Sequence, residues 1–272
     1  MCCISAETVC FVMVSVIMVS AAYQDVRSRE VSDLHWLSMS VVAVVMCPLR
    51  LDGVVHVILG VVAVSMMSSY MLSDRISGIR AVSVLLLPTI IHLVLFMDGE
   101  GPWTLVVPVM YLLFLSLYYT GLLRGGADAK AMMSISMVSP FYPWSGVLWS
   151  SGPIDGILLN PPMAILIVAL ILSLAWAIPT LIRSMSSGCL SVSHHRMSID
   201  EAEASFVWPT EDVVDGEVRR IRPSDNPMVY GRLREYGRND VEVTPMIPFV
   251  LPITVSYVMV MILGNPLTML IR

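Results

Sequence analysis

Leu123-Arg124-Gly125-Gly126-Ala127-Asp128-Ala129-Lys130 is a polar interruption between two apolar stretches. Two adjacent glycines free the backbone there, and a carboxylate and an ammonium follow within a helical turn. A second stretch has the same setting. Tyr23-Gln24-Asp25-Val26-Arg27-Ser28-Arg29-Glu30-Val31-Ser32-Asp33 comes directly after the first apolar run. What surrounds these two stretches decides the fold. The chain of 272 residues is 56% hydrophobic and 14% charged, with a mean hydropathy of +0.78. That is too apolar for a soluble globule of this size. The apolar residues fall into runs close to the length that crosses a bilayer. The reading is an all-α polytopic membrane protein of about eight transmembrane helices, with a small β-containing cytoplasmic insertion before the last helix.

Working outward, spans are expected at 8–24, 34–49, 54–72, 81–97 and 104–123. A weaker one begins at Asp128 and is interrupted by Pro140 and Pro143; two more are expected at 163–182 and 246–264. Ser32 or Asp33 is the expected N-cap of the second. Pro88, Pro108, Pro248 and Pro252 are tolerated inside spans where neighbouring helices satisfy the freed carbonyls. Residues 1–7 carry no Lys or Arg, so the first run reads as a retained span and not as a cleaved signal. The organisation is a membrane domain at 1–182 with both aspartate stretches, a polar subdomain at 183–245 and the last helix within 246–272.

Loop charge sets the orientation. If all eight spans cross, Arg27, Arg29, Arg75, Arg80, Arg124, Lys130 and Arg183 share one side with the arginines of the polar subdomain. Only Arg50 and Arg272 fall opposite, a bias of fourteen against two. The positive-inside rule then puts Asp25, Asp128 and the polar subdomain on the cytoplasmic face of a multi-pass protein of the cell membrane. Within that subdomain, 211–219 reads as a hairpin turning at Asp215-Gly216. Residues 199–217 hold seven acidic groups, and 219–238 hold six arginines. Two readings follow: a solvated surface that pairs its own charges, or an acidic face for a basic partner segment.

Charged groups at a membrane boundary are costly unless they pair, face water or work. Asp25 and Asp128 lie on the same side, and two carboxylates sharing a site cannot both ionise easily. One then serves as general base and the other as general acid, as water-mediated peptide hydrolysis requires. Each alone could also be a helix cap or an arginine's partner. Asp33 rivals Asp25, but its place at the start of a span fits capping. Asp128, opening a helix, is the better candidate for the base. Lys130 faces elsewhere on that helix and reads as a topology anchor. His56 and His92 lie within spans, where a hydrogen-bonded core histidine is the commoner case. The 21 methionines read as packing or lipid-facing residues. The five cysteines, Cys2, Cys3, Cys10, Cys47 and Cys189, form no C-x-x-C pair. His194-His195 has no companions at ligand spacing. No metal, no cofactor and no nucleic-acid partner is expected; the lipid bilayer is.

Gly125-Gly126-Ala127-Asp128-Ala129-Lys130 resembles the G-x-G-D motif of membrane aspartic peptidases. The likeness is greatest to the archaeal branch of the type IV prepilin peptidases, which includes the preflagellin peptidases. Asp25 followed by Val31-Ser32-Asp33 resembles that family's first-aspartate motif, with Ser32 where many members have proline. Thr244-Pro245-Met246-Ile247-Pro248-Phe249 resembles the T-P-x-I-P-F segment of archaeal members. The motif's second glycine is Ala127 here, and the cysteine-rich zinc segment of bacterial relatives is missing. The resemblance implies a cytoplasmic-face endopeptidase with Asp25 and Asp128 as catalytic pair. Gly125, Gly126, Ala127 and Lys130 would be the supporting motif. The substrates would be prepilins or preflagellins, cut between a short basic leader and an apolar segment. Three other functions compete: a presenilin-type intramembrane protease, a proton-coupled transporter using the aspartates with His56 and His92, and an inactive membrane scaffold. The presenilin type has a Tyr-Asp pair inside a span, whereas here Gln24 separates Tyr23 from Asp25.

Overall fold

The computed structural model describes residues 5–73, 79–123, 125–142, 160–186, 195–221, 223, 226–246 and 248–264. Cys2, Cys3, Arg75, Arg124, Pro143, Cys189, His194, Arg222, Ile247 and Arg272 lie outside the described residues. The protein is mostly helical, with a few short strands, and divides into two compact units. The first holds residues 1–171 and 249–272, and the second is Leu172–Pro248.

The first unit contains α1 (Ala6–Ser28), α2 (Asp33–Arg50), α3 (Val54–Leu72), α4 (Ile79–Met97), α5 (Trp103–Tyr119), α6 (Gly126–Val138), the start of α7 (Pro161–Ser186) and α10 (Val250–Leu263). Among the described residues, two helices, α1 and α3, are long and apolar enough to cross a membrane. Shorter apolar helices run through 82–97, 103–119, 161–175 and 250–263. α1 opens where the Ser5 hydroxyl accepts the Thr8 N–H, and it closes at Arg29 in the left-handed region, φ 58°. It therefore runs into the polar stretch expected to follow it, and Asp25 belongs to its last turns. Ser32 caps α2, its hydroxyl accepting the Leu34 N–H.

α6 is the centre of this unit. α2, α3, α5 and α10 all pack against it, and every residue from Ala131 to Val138 is buried. It has thirteen residues, about 20 Å of helix. Enclosure on several sides explains its composition: Ser134 and Ser136 are tolerated because neighbouring groups accept their protons. Ser134 donates to the Met71 sulfur at 3.4 Å, and Ser136 to the Met133 carbonyl at 2.6 Å. The largest fully buried side chains include Trp36, Met39, Met67, Leu95, Tyr111, Phe114, Ile165 and Tyr257. Many of the methionines fill this core, as an unbranched thioether suits irregular gaps.

The chain passes back and forth, so polar residues gather at two ends. At one end Arg50 makes a two-pronged pair with Glu7, at 2.8 and 2.7 Å. It also donates to the Val138 carbonyl at the end of α6 and lies 4.9 Å over the Phe141 ring. Close by, His56 is held between Glu100 and Asp98, and Glu100 also accepts the Asp52 N–H. The aspartate stretches occupy the other end.

In the second unit β1 (His195–Ser198), β5 (Asp240–Pro245) and β2 (Val207–Pro209) form an antiparallel sheet in the order β1-β5-β2. Val241 and Val243 alternate inward onto Ile199 and Ala202 of α8 (Ile199–Glu203) and Val229, Tyr230 and Leu233 of α9 (Met228–Glu235). β3 (Glu211–Val214) and β4 (Glu217–Arg220) form the expected hairpin. Asp215 and Gly216 both have positive φ, 55° and 75°, as a two-residue turn of this twist demands. The three-stranded sheet was not legible in the sequence. The charges pair internally: Arg234 with Asp200 and Glu203, Arg232 with Asp212, Arg196 with Glu211 and Asp240. The acidic stretch is thus largely met by its own arginines, as the reading of a surface that pairs its own charges expects.

Candidate active site

Asp25 is buried, 7% exposed, on the inward side of α1. Its Oδ2 accepts the Val250 N–H at 3.2 Å. Val250 is the first residue of α10, so Asp25 satisfies one of the donors left free at that helix's start. Thr254, one turn on, donates to the Met18 carbonyl at 3.1 Å and ties α10 to α1 along the same edge. The backbone beyond Asp25 is closed by the Arg29 N–H, which donates to the Asp25 carbonyl at 3.0 Å. Gln24 Oε1 accepts the Ser32 N–H at 3.1 Å, and Ser20 Oγ meets His35 Nε2 at 3.0 Å. Those contacts fasten the turn between α1 and α2 around the aspartate.

Asp128 is half-buried in the first turn of α6. Gly125 is the N-cap residue, extended at φ −79° and ψ 123°, with no side chain to cap the helix. The Asp128 carboxylate folds back over it: a methyl group at Gly125 would overlap Oδ2. A side chain there would make the carboxylate turn away, whereas the dihedral angles of Gly125 suit any residue. Gly126 is different, with open space beside it and the Tyr118 hydroxyl 4.0 Å from where a methyl would stand. Ala127 follows, half-buried. Lys130 Nζ pairs with Asp33 Oδ1 at 2.7 Å. Asp33, the rival first aspartate, is thereby engaged, and Lys130 links the two polar stretches.

The two candidate carboxylates come from helices far apart in the sequence and lie within electrostatic range of one another. Each stands at a helix N-terminus, Asp128 at that of α6 and Asp25 at that of α10. The helix-terminus argument that favoured Asp128 as base applies equally to Asp25 and does not separate them. Both helix ends aim partial positive charge at the pair, which favours the ionised form of each carboxylate. Compared with protein-family models the chain matches none, and no curated protein matches it either.

The remaining candidates lie elsewhere. His56 is at the opposite end with its two carboxylates. His92 is buried, 2% exposed, and among the described residues neither ring nitrogen finds a hydrogen-bond partner, contrary to the hydrogen-bonded core histidine expected. Cys10 and Cys47 are free and buried. Among the described residues, no cluster of histidine, cysteine or carboxylate groups could hold a metal ion. Sequence reasoning missed Val250, His35 and Tyr118. A backbone N–H leaves no mark in a sequence, although Val250 directly follows the Thr244–Phe249 motif, which could have pointed to it.

Proposed function

We propose that this chain is a membrane-embedded aspartic endopeptidase that removes short basic leaders from prepilins or preflagellins at the cytoplasmic face. The observation that carries the reading is that Asp25 and Asp128, far apart in the sequence, lie within electrostatic range of one another at one end of the helical unit. In this reading α1 to α7 and α10 make eight crossings, with α6 enclosed by the others. The arginine bias and the segregation of polar residues to two ends support that topology. One carboxylate takes a proton from water as the water oxygen attacks the peptide carbonyl. The other gives a proton to the departing amine as the C–N bond breaks, and no covalent intermediate forms. Two like charges in one site disfavour double ionisation, which suits this division of work.

The three sequence motifs support the same substrate class. The transporter alternative has less to draw on, because His56 is engaged far from the aspartates. The test is incubation of the purified protein with membranes containing a prepilin. The expected result is a product shorter by the leader; an unchanged prepilin would overturn the proposal.

A further inference from the structure

α1 and α10 touch along their inner edge, where Thr254 meets the Met18 carbonyl and Phe11 stacks on Tyr257 with ring centroids 5.9 Å apart. Along their outer edge they part. Between them lies a groove of about 520 Å³, within the size range of ligand pockets. From α1 it is lined by Val19, Ala22, Tyr23 and Val26, and from α10 by residues that include Leu251, Val255 and Val258. Both sets follow the i, i+3, i+4, i+7 spacing of a helix stripe. The surface is almost wholly apolar: the Thr254 hydroxyl is turned to the Met18 and Val250 carbonyls, and the Tyr23 hydroxyl accepts from Arg27. Single helices facing lipid are convex, so a concave apolar seam between two is a place where another helix fits.

Position fixes the occupant. Ala22 is one turn before Asp25, and Leu251 directly follows the residue whose N–H holds Asp25. The groove therefore begins beside the candidate site and runs away from it for about two turns, roughly 10 Å. We propose that it seats the apolar helix of the substrate that immediately follows the cut bond, and so delivers that bond to Asp25 and Asp128. The inference rests on the peptidase reading and adds to it the specificity surface. The side chains of such a helix at i, i+3 or i+4, and i+7 would enter the groove, while the leader stays on the polar side.

The test compares two substrates: a full-length prepilin in vesicles, and a short soluble peptide that spans the same bond but lacks the apolar segment. Val255 is exposed, 41%, so Val255→Trp fills the groove without disturbing the core. KM for the prepilin should rise roughly tenfold, the worth of about one buried apolar side chain, with kcat unchanged and the peptide's kinetics unmoved. Val19→Trp, on the facing wall, should act alike, and Ile58→Trp on the exposed side of α3 should do nothing. Equal KM changes for both substrates, or none for either, would overturn the groove assignment while cleavage by the wild type leaves the peptidase reading standing. If the wild type cleaves neither substrate, the peptidase reading fails first and the groove assignment falls with it.

Discussion

Gly125 has no side chain where the Asp128 carboxylate needs room. The neighbouring Gly126 has space to spare, and the contrast makes a prediction at the scale of one methyl group. Gly125→Ala should push the Asp128 carboxylate out of place and lower prepilin cleavage by about 100-fold, the usual cost of a misplacement near 1 Å. Gly126→Ala should stay within a few-fold of the wild type. Initial rates in isolated membranes, normalised to protein level, read both; equal losses would contradict the geometry. At this scale the sequence points to the two aspartates of the candidate site. Asp25 and Asp128 stood out because a charge at the edge of an apolar run is costly and asks for a reason. The partners of those residues were not legible. Val250 acts through its backbone, and the Lys130–Asp33 pair joins side chains whose register depends on how α2 meets α6.

Among the elements, α6 was the weakest reading in the sequence and is the most enclosed helix in the unit. The two facts have one cause: a helix surrounded by other helices does not face lipid, so it can carry serines and remain short. Its far end is fastened by Arg50, 6% exposed at its side chain, to Glu7 and the Val138 carbonyl. Removing one member of a buried pair strands the other, at about 3–5 kcal/mol. Glu7→Gln and Arg50→Met should each lower the melting temperature in detergent, and the double variant should recover part of the loss. Additive losses would show that the two residues do not act as a pair. In the second unit, Arg232 of α9 donates to both oxygens of Asp212 on β3, at 2.9 and 2.5 Å. That hydrogen bond holds the Asp212 carboxyl below its ordinary value. Its contribution to stability is present above the unfolded value, about 3.9, and is lost as pH falls through the folded one. Arg232→Gln should therefore move the acid loss of amide protection in 207–235 to higher pH, read by hydrogen exchange of the full chain corrected for intrinsic rates. An unmoved profile would mean that the pair does not support this fold. The hairpin itself was readable from Asp215-Gly216 because its turn needs positive φ at both positions. β1 and β2 were not, since four and three residues are too few to show alternation.

For the whole molecule, composition points to a membrane and the arginine bias motivates the proposed orientation, while the depth of each helix in a bilayer depends on packing that no run of residues displays. Among the described residues, two helices pass the length and hydropathy test for a span, and the eight-crossing arrangement is the proposal built on them. It predicts that Met228→Cys, exposed in the second unit and placed in a background with Cys2, Cys3 and Cys189 changed to serine, is labelled by an impermeant thiol reagent only after the membrane is opened. Labelling of intact cells would reverse the orientation. The central claim is that Asp25 and Asp128 act as one catalytic unit, and residues that act as a unit are strongly non-additive. The direct measurement is prepilin cleavage by Asp25→Asn, Asp128→Asn and the double variant, at matched levels in the membrane. Each single variant is predicted to be inactive and the double no worse than either; substantial cleavage by either single variant would contradict the pair.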